Sequence, residues 1–143
     1  MKFSSFAALS SSSPAGGAIV NVSSVNGLGG AQMGALYSAA KAGVLALTKS
    51  AAQEYGRQGI RVNALVAGAF DTPMLNHSLE RITRGDAQAR ERTEGLYKSM
   101  IALGRFGWPE EAAEAIVWLC SDTAAYVTGH SMIVDGGLTA PFR

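Results

Sequence analysis

A chain of 143 residues, 48% apolar and 16% charged, is long enough to bury one core and suits a single domain. Its 12 Lys+Arg against 11 Asp+Glu leave a net charge of +1, and no basic stripe interleaved with aromatics runs along it, so nucleic acid is not an expected partner. No apolar run approaches the roughly 20 residues of a membrane span, and the single cysteine, Cys120, excludes an internal disulfide and a cysteine-based zinc site.

Residues 1–17 are Ser-rich and end in Pro14-Ala15-Gly16-Gly17, a composition that predicts a flexible lead-in. Ser10 to Ser13 interrupt the weak apolar character of the first nine residues before a secretory h-region develops, and a cytoplasmic location is expected. Ala18 to Ser23 is a short, β-branched, mainly apolar run, the pattern of a strand covered on both faces in a parallel sheet. A Gly-rich stretch, Asn26 to Gly34, leads into the longest predicted helix, Leu36 to Arg57, where Leu36, Ala40, Val44, Leu47 and Ala51 recur at helical spacing. Gly56 and Gly59 punctuate its end, and Ile60 to Val66 reads as a second buried strand, which completes a strand–helix–strand unit.

Asp71 to Gly104 is polar and charged, and is expected to form an inserted lid with short helices around Leu75 to Arg84 and Ala87 to Met100. Pro109 opens a further helix, with Glu110 and Glu111 in the first turn at the positive end of the helix dipole, running to about Ser121. Ser131 to Val134 makes the third strand, closed by Asp135-Gly136-Gly137. The resulting order, β, long α, β, lid, α, β, belongs to the layered α/β class.

Tyr37 and Lys41 stand four apart on the long helix, so their side chains leave one face and can converge on one region. A phenol with a pKa of about 10 is a poor proton-transfer group at neutral pH, and an adjacent ammonium favours the phenolate. Ser24 ends the preceding strand at the carboxyl edge of the sheet, where ligands bind in open α/β folds. Other readings are weaker. Asn26 to Gly34 places Gln32 where a dinucleotide-binding turn needs its third glycine, Ser24 lacks the flanking glycines of a nucleophile elbow, and His77 and His130 are far apart with no carboxylate at metal spacing. Cys120, within Ala115 to Cys120, reads as core packing.

In this order the motifs Asn21-Val22-Ser23-Ser24, Tyr37-Ser38-Ala39-Ala40-Lys41, Ile60-Arg61-Val62-Asn63 and Thr128-Gly129 through Asp135-Gly136-Gly137 resemble the short-chain dehydrogenase/reductase family from about Gly16 to Gly137. The resemblance implies a partial Rossmann-like, doubly wound parallel sheet of three strands with flanking helices and a helical lid at about 71–104. It implies an oxidoreductase using NAD or NADP to interconvert an alcohol and a carbonyl. Ser24 would position the substrate oxygen, Tyr37 would act as general acid or base, and Lys41 would lower the tyrosine's pKa and bind the nicotinamide ribose. Gly68, the Phe70 backbone and the Thr72 hydroxyl match the positions that touch the nicotinamide carboxamide, in a turn where the family usually has Pro in place of Ala67. The long helix would form a homo-oligomer surface, and the substrate would be a small alcohol or carbonyl compound.

The family's Thr-Gly-x-x-x-Gly-x-Gly and Asn-Asn-Ala-Gly motifs do not occur in the sequence, so the chain is expected to carry the C-terminal catalytic half without the N-terminal cofactor-binding half. Ala18 to Ser23 is then expected to be a bare sheet edge. The alternative function is a non-catalytic fragment that acts as an oligomerisation or interaction module.

Overall fold

The computed structural model describes residues 6–10, by their backbone alone, and residues 16–140. In chain order the elements are β1 (Phe6–Ser10), β2 (Gly17–Ser24), α1 (Ala35–Tyr55), β3 (Ile60–Ala67), α2 (Pro73–Thr83), α3 (Ala87–Met100), α4 (Pro109–Cys120) and β4 (Ser131–Val134). The sheet order is β1-β2-β3-β4, with β2, β3 and β4 parallel, as the three-strand reading of the sequence expects.

The edge differs from expectation. Phe6–Ser10, placed by composition in a flexible lead-in, forms β1 and pairs antiparallel with β2, Phe6 opposite Asn21 and Ser10 opposite Gly17. The edge predicted to be bare is therefore paired, because the open row of N–H and C=O groups on a strand accepts any extended segment that can reach it.

Strand alternation assigns the two faces of the sheet. Ala18 and Val20 of β2 and Leu65 of β3 pack with Leu119 and Cys120 of α4, whereas Ala64 and Val66 of β3 pack with Leu45 of α1. Cys120 thus lies in the core, as read from the sequence. Buried Asn21 faces α1, where its Nδ2 donates to Thr48 Oγ1 at 2.9 Å.

Helix ends follow local chemistry. Gly56–Gln58 adds a 3₁₀ turn after α1, and Gly59 follows with φ 75°, a conformation that glycine adopts without strain. α2 starts two residues before its expected position: Thr72 caps it by accepting from the Leu75 N–H, and Pro73 takes the first turn. α4 starts at Pro109 as predicted, and Glu111 Oε2 accepts the Trp108 N–H at 2.7 Å. Arg61 closes the other end of α4, donating to the carbonyls of Leu119 (2.7 Å), Ser121 (3.0 Å) and Val127 (3.3 Å). Asn63 adds bonds to Val127 O and from the His130 N–H, which docks the turn that enters β4. Among the described residues, no helix is long and apolar enough to cross a membrane.

Candidate active site

Parallel register brings the carboxyl ends of three strands to one edge, with Ser24 beside Ala67 and Ala67 beside Val134. Every candidate residue lies on or just beyond this edge. Ser24 is buried and caps a 3₁₀ turn, Val25–Gly27, its Oγ accepting from the Asn26 N–H at 3.3 Å. That turn lies directly on α1: a Cβ on Gly27 would fall 2.8 Å from the carbonyl carbon of Lys41.

Tyr37 occupies the first turn of α1 and Lys41 the second. The Lys41 Nζ lies 5.7 Å from the Tyr37 ring centroid and donates to Val22 O at 2.9 Å. An ammonium carries three donors, so two remain for a ligand. Burial lowers the Lys41 pKa, since a low-dielectric setting disfavours the charged form. Among the described residues no hydrogen bond engages the Tyr37 hydroxyl, and none joins it to Ser24. Ser38 orders the loop ahead of the helix, its Oγ accepting from the Ala31 N–H at 3.2 Å.

The Gly68 N–H is taken by Val134 O at 2.9 Å, which leaves its carbonyl as the polar group it can offer. Phe70 pairs with Gly107 as an isolated parallel bridge, formed through the flanking groups, Asp71 N–H to Gly107 O and Gly107 N–H to Ala69 O. The Phe70 N–H is outside this bridge and faces no bond from the described residues. Thr72 Oγ1 donates to Phe70 O and accepts from the Leu75 N–H, each at 3.3 Å, so helix capping uses its donor and one lone pair.

Four residues to which the sequence alone assigns no individual role shape this edge. Ser23 donates from Oγ to Lys41 O at 2.8 Å, Gly27 admits the 3₁₀ turn, and Gly107 admits the Phe70 ring, 2.6 Å from where its Cβ would be. Asp135 lies against Gly68, 2.6 Å from where a Cβ there would be. Burial pushes its carboxyl up, but bonds from Thr139 Oγ1 and the Thr139, Gly137 and Leu138 N–H groups outweigh that and hold it below its ordinary value. The glycines after it let the turn lie on the segment that follows α3, since a Cβ on Gly136 would meet Ile101 at 2.8 Å and one on Gly137 would meet Ala102 at 2.7 Å. Alternation along β2 was the available signal for Ser23, which shares the parity of Asn21. His77 and His130 stay apart, and among the described residues no cluster of His, Cys, Asp and Glu could hold a metal ion.

A family model described as enoyl-(acyl carrier protein) reductase matches residues 3–139. The 2,5-dichloro-2,5-cyclohexadiene-1,4-diol dehydrogenase of Sphingobium indicum is 47% identical over 124 residues, which cover 87% of this chain and 46% of that protein. The cis-4-hydroxycyclohexanecarboxylate dehydrogenase of Sinomonas cyclohexanicum is 48% identical over 124 residues, covering 87% and 45% respectively. Among solved structures, the actinorhodin polyketide ketoreductase with NADPH superimposes with a TM-score of 0.79 at 36% identity, covering 86% of this chain and 47% of that one. The chain spans about half the length of the relatives it matches. By the extent of the family match and the identity to these dehydrogenases, the chain belongs to the short-chain dehydrogenase/reductase family.

Proposed function

We propose that this chain carries the catalytic edge of an NAD- or NADP-dependent oxidoreductase that interconverts an alcohol and a carbonyl. The observation that carries the reading is the Lys41 ammonium, held by Val22 O and 5.7 Å from the Tyr37 ring, at the strand end that Ser24 closes. The relatives are dehydrogenases by name, and one structural neighbour holds NADPH, which supports a nicotinamide cofactor here.

A bound nicotinamide supplies the hydride acceptor for oxidation and the hydride donor for reduction. The residues handle the proton and the orientation. Ser24 Oγ holds the substrate oxygen; Tyr37 Oη takes the alcohol proton in oxidation and returns it in reduction. Lys41, set 5.7 Å from the Tyr37 ring, would offer its two remaining donors to the ribose hydroxyls. The donor set suits such a group: the Phe70 N–H and the Gly68 carbonyl complement the two ends of a carboxamide, with one Thr72 lone pair beside them.

The test is to join the chain to the N-terminal half of a relative, a part that it does not span, and to measure turnover of a panel of secondary alcohols with NAD(H) and NADP(H); the chain by itself should show no saturable change in reduced-nicotinamide fluorescence below millimolar cofactor. Tyr37→Phe should lower turnover by at least about 10²-fold, the scale of a lost acid–base group. Full turnover in Tyr37→Phe would refute the role given to the tyrosine.

The outer face of α1 supports self-association as part of this function. Leu36 is 90% and Leu47 54% exposed, and Ala39, Ala40, Gly43 and Ala46 complete a smooth apolar surface on which a second helix can approach closely. Leu47→Asp should dissociate the oligomer in light scattering coupled to size exclusion. A wild-type chain that runs as a monomer would remove this element of the reading.

A further inference from the structure

We infer that Ser23 is a positioning residue for Lys41, its buried hydroxyl holding the second turn of α1 against the end of β2 so that the lysine reaches Val22 O and the Tyr37 ring. The inference rests on the function proposed for Lys41 and adds a residue to it. Ser23 is 2% exposed, and alternation turns it toward α1, as it turns Asn21. Its Oγ donates to Lys41 O at 2.8 Å, while Lys41 Nζ donates back to Val22 O at 2.9 Å. Two bonds of opposite sense therefore tie residue 41 to adjacent residues of β2. The 3₁₀ turn presses on the same peptide, since a Gly27 Cβ would fall 2.8 Å from Lys41 C and 3.0 Å from Ala42 N.

Apolar packing is non-directional and cannot fix this register alone. The contact beneath α1 is made by small and medium side chains, Leu45 against Ala64 and Val66, with Val25 alongside. A slide of one residue along the helix axis is about 1.5 Å, enough to break either bond. A helical carbonyl has a second lone pair, so Lys41 O can take the serine hydroxyl without giving up its place in the helix.

The experiment is an NMR titration of the Lys41 ε-methylene in the cofactor-free chain. The Tyr37 phenol is the titratable group set against this ammonium among the described residues. In the wild type, burial holds the Lys41 pKa down. With Ser23→Ala the ammonium swings into water, and the titration should return to the ordinary lysine value. Ser23→Cys, almost the same size and a weak donor, should move it part of the way, and Ser23→Thr, which keeps a hydroxyl, should retain the wild-type curve. A residue that only stabilises the fold would lower the melting temperature in Ala and Cys variants and leave the titration where it was.

The proposal is overturned if a folded Ser23→Ala or Ser23→Cys chain titrates as the wild type, or if Ser23→Thr does not. Should Ser23→Ala fail to fold, the Cys and Thr variants decide. The titration needs no turnover, so a chain without redox activity would defeat the proposed function and leave the positioning role standing. An active chain with an unmoved Lys41 would do the reverse.

Discussion

Gly68→Ala adds one methyl group at the point where β3 opens into the candidate site. An ideal Cβ at this position would fall 2.6 Å from both Cα and Cβ of Asp135. Carbon atoms rest at about 3.5–4.0 Å, so the contact must open by roughly 1 Å, and backbone rather than a flexible side-chain end has to move. The Gly68 N–H to Val134 O bond, 2.9 Å, lies across that opening. Overpacking of this kind costs about 1–3 kcal/mol. At this chain length each kcal/mol moves Tm by about 4 °C, so a fall of about 4–12 °C is expected. The control is Gly95→Ala in α3, which is exposed with nothing within 4 Å of the new methyl group and lies away from the α1 face. There the same chemical change should stabilise by about 0.5–1 kcal/mol, because glycine loses more backbone freedom on folding than alanine. Thermal melts of the three proteins by circular dichroism, at one concentration, give the comparison. A Gly68→Ala chain that melts with the wild type would refute the tight seating of Asp135 on β3.

Lys41→Ala should weaken nicotinamide binding in the chain completed by an N-terminal half, since it removes the ammonium donors; an unchanged affinity would count against that role. Arg61→Ala removes the donors from three carbonyls around the end of α4 and should cost about 2–4 kcal/mol in urea melts, with the loss non-additive because the carbonyls are partly open to water. Arg105 holds the Glu111 carboxyl down to about 2, aided by the Trp108 N–H, so Arg105→Ala should raise that pKa in a carboxyl NMR titration. A depressed carboxylate contributes stability above its unfolded value of about 4.3 and loses it as pH falls through the folded value of about 2. The variant's acid limb should therefore begin at higher pH, by a small and salt-screened amount because the pair is exposed.

Local regularities fixed what was readable in the chain. Branched apolar runs at Ala18 to Ser23 and Ile60 to Val66 marked two strands, and helical spacing put Tyr37 and Lys41 on one face of α1. Pro109 followed by Glu110 and Glu111 marked the start of α4, because a helix N-terminus tolerates a missing N–H and attracts negative charge. These signals work over three or four residues and need no knowledge of the rest of the molecule. The pairing of Phe6–Ser10 with β2 escaped them, since five weakly apolar residues beside a serine run carry no period and gain a partner only when β2 is already formed. Ser23 and Arg61 escaped for a related reason: a hydroxyl reaching a carbonyl 18 residues away, or a guanidinium reaching one 58 residues away, leaves no trace in local spacing. Gly68 and Gly107 look like turn residues in sequence, and only the approach of Asp135 and of the Phe70 ring shows why a Cβ at either position would force a neighbour to move. Which residues share an element and a face was legible in the order of the chain, because that follows from backbone geometry. The close approaches that hold Lys41, Asp135 and the segment after α3 near one edge come from tertiary packing, where excluded volume and directional bonds act between segments that sequence order keeps apart.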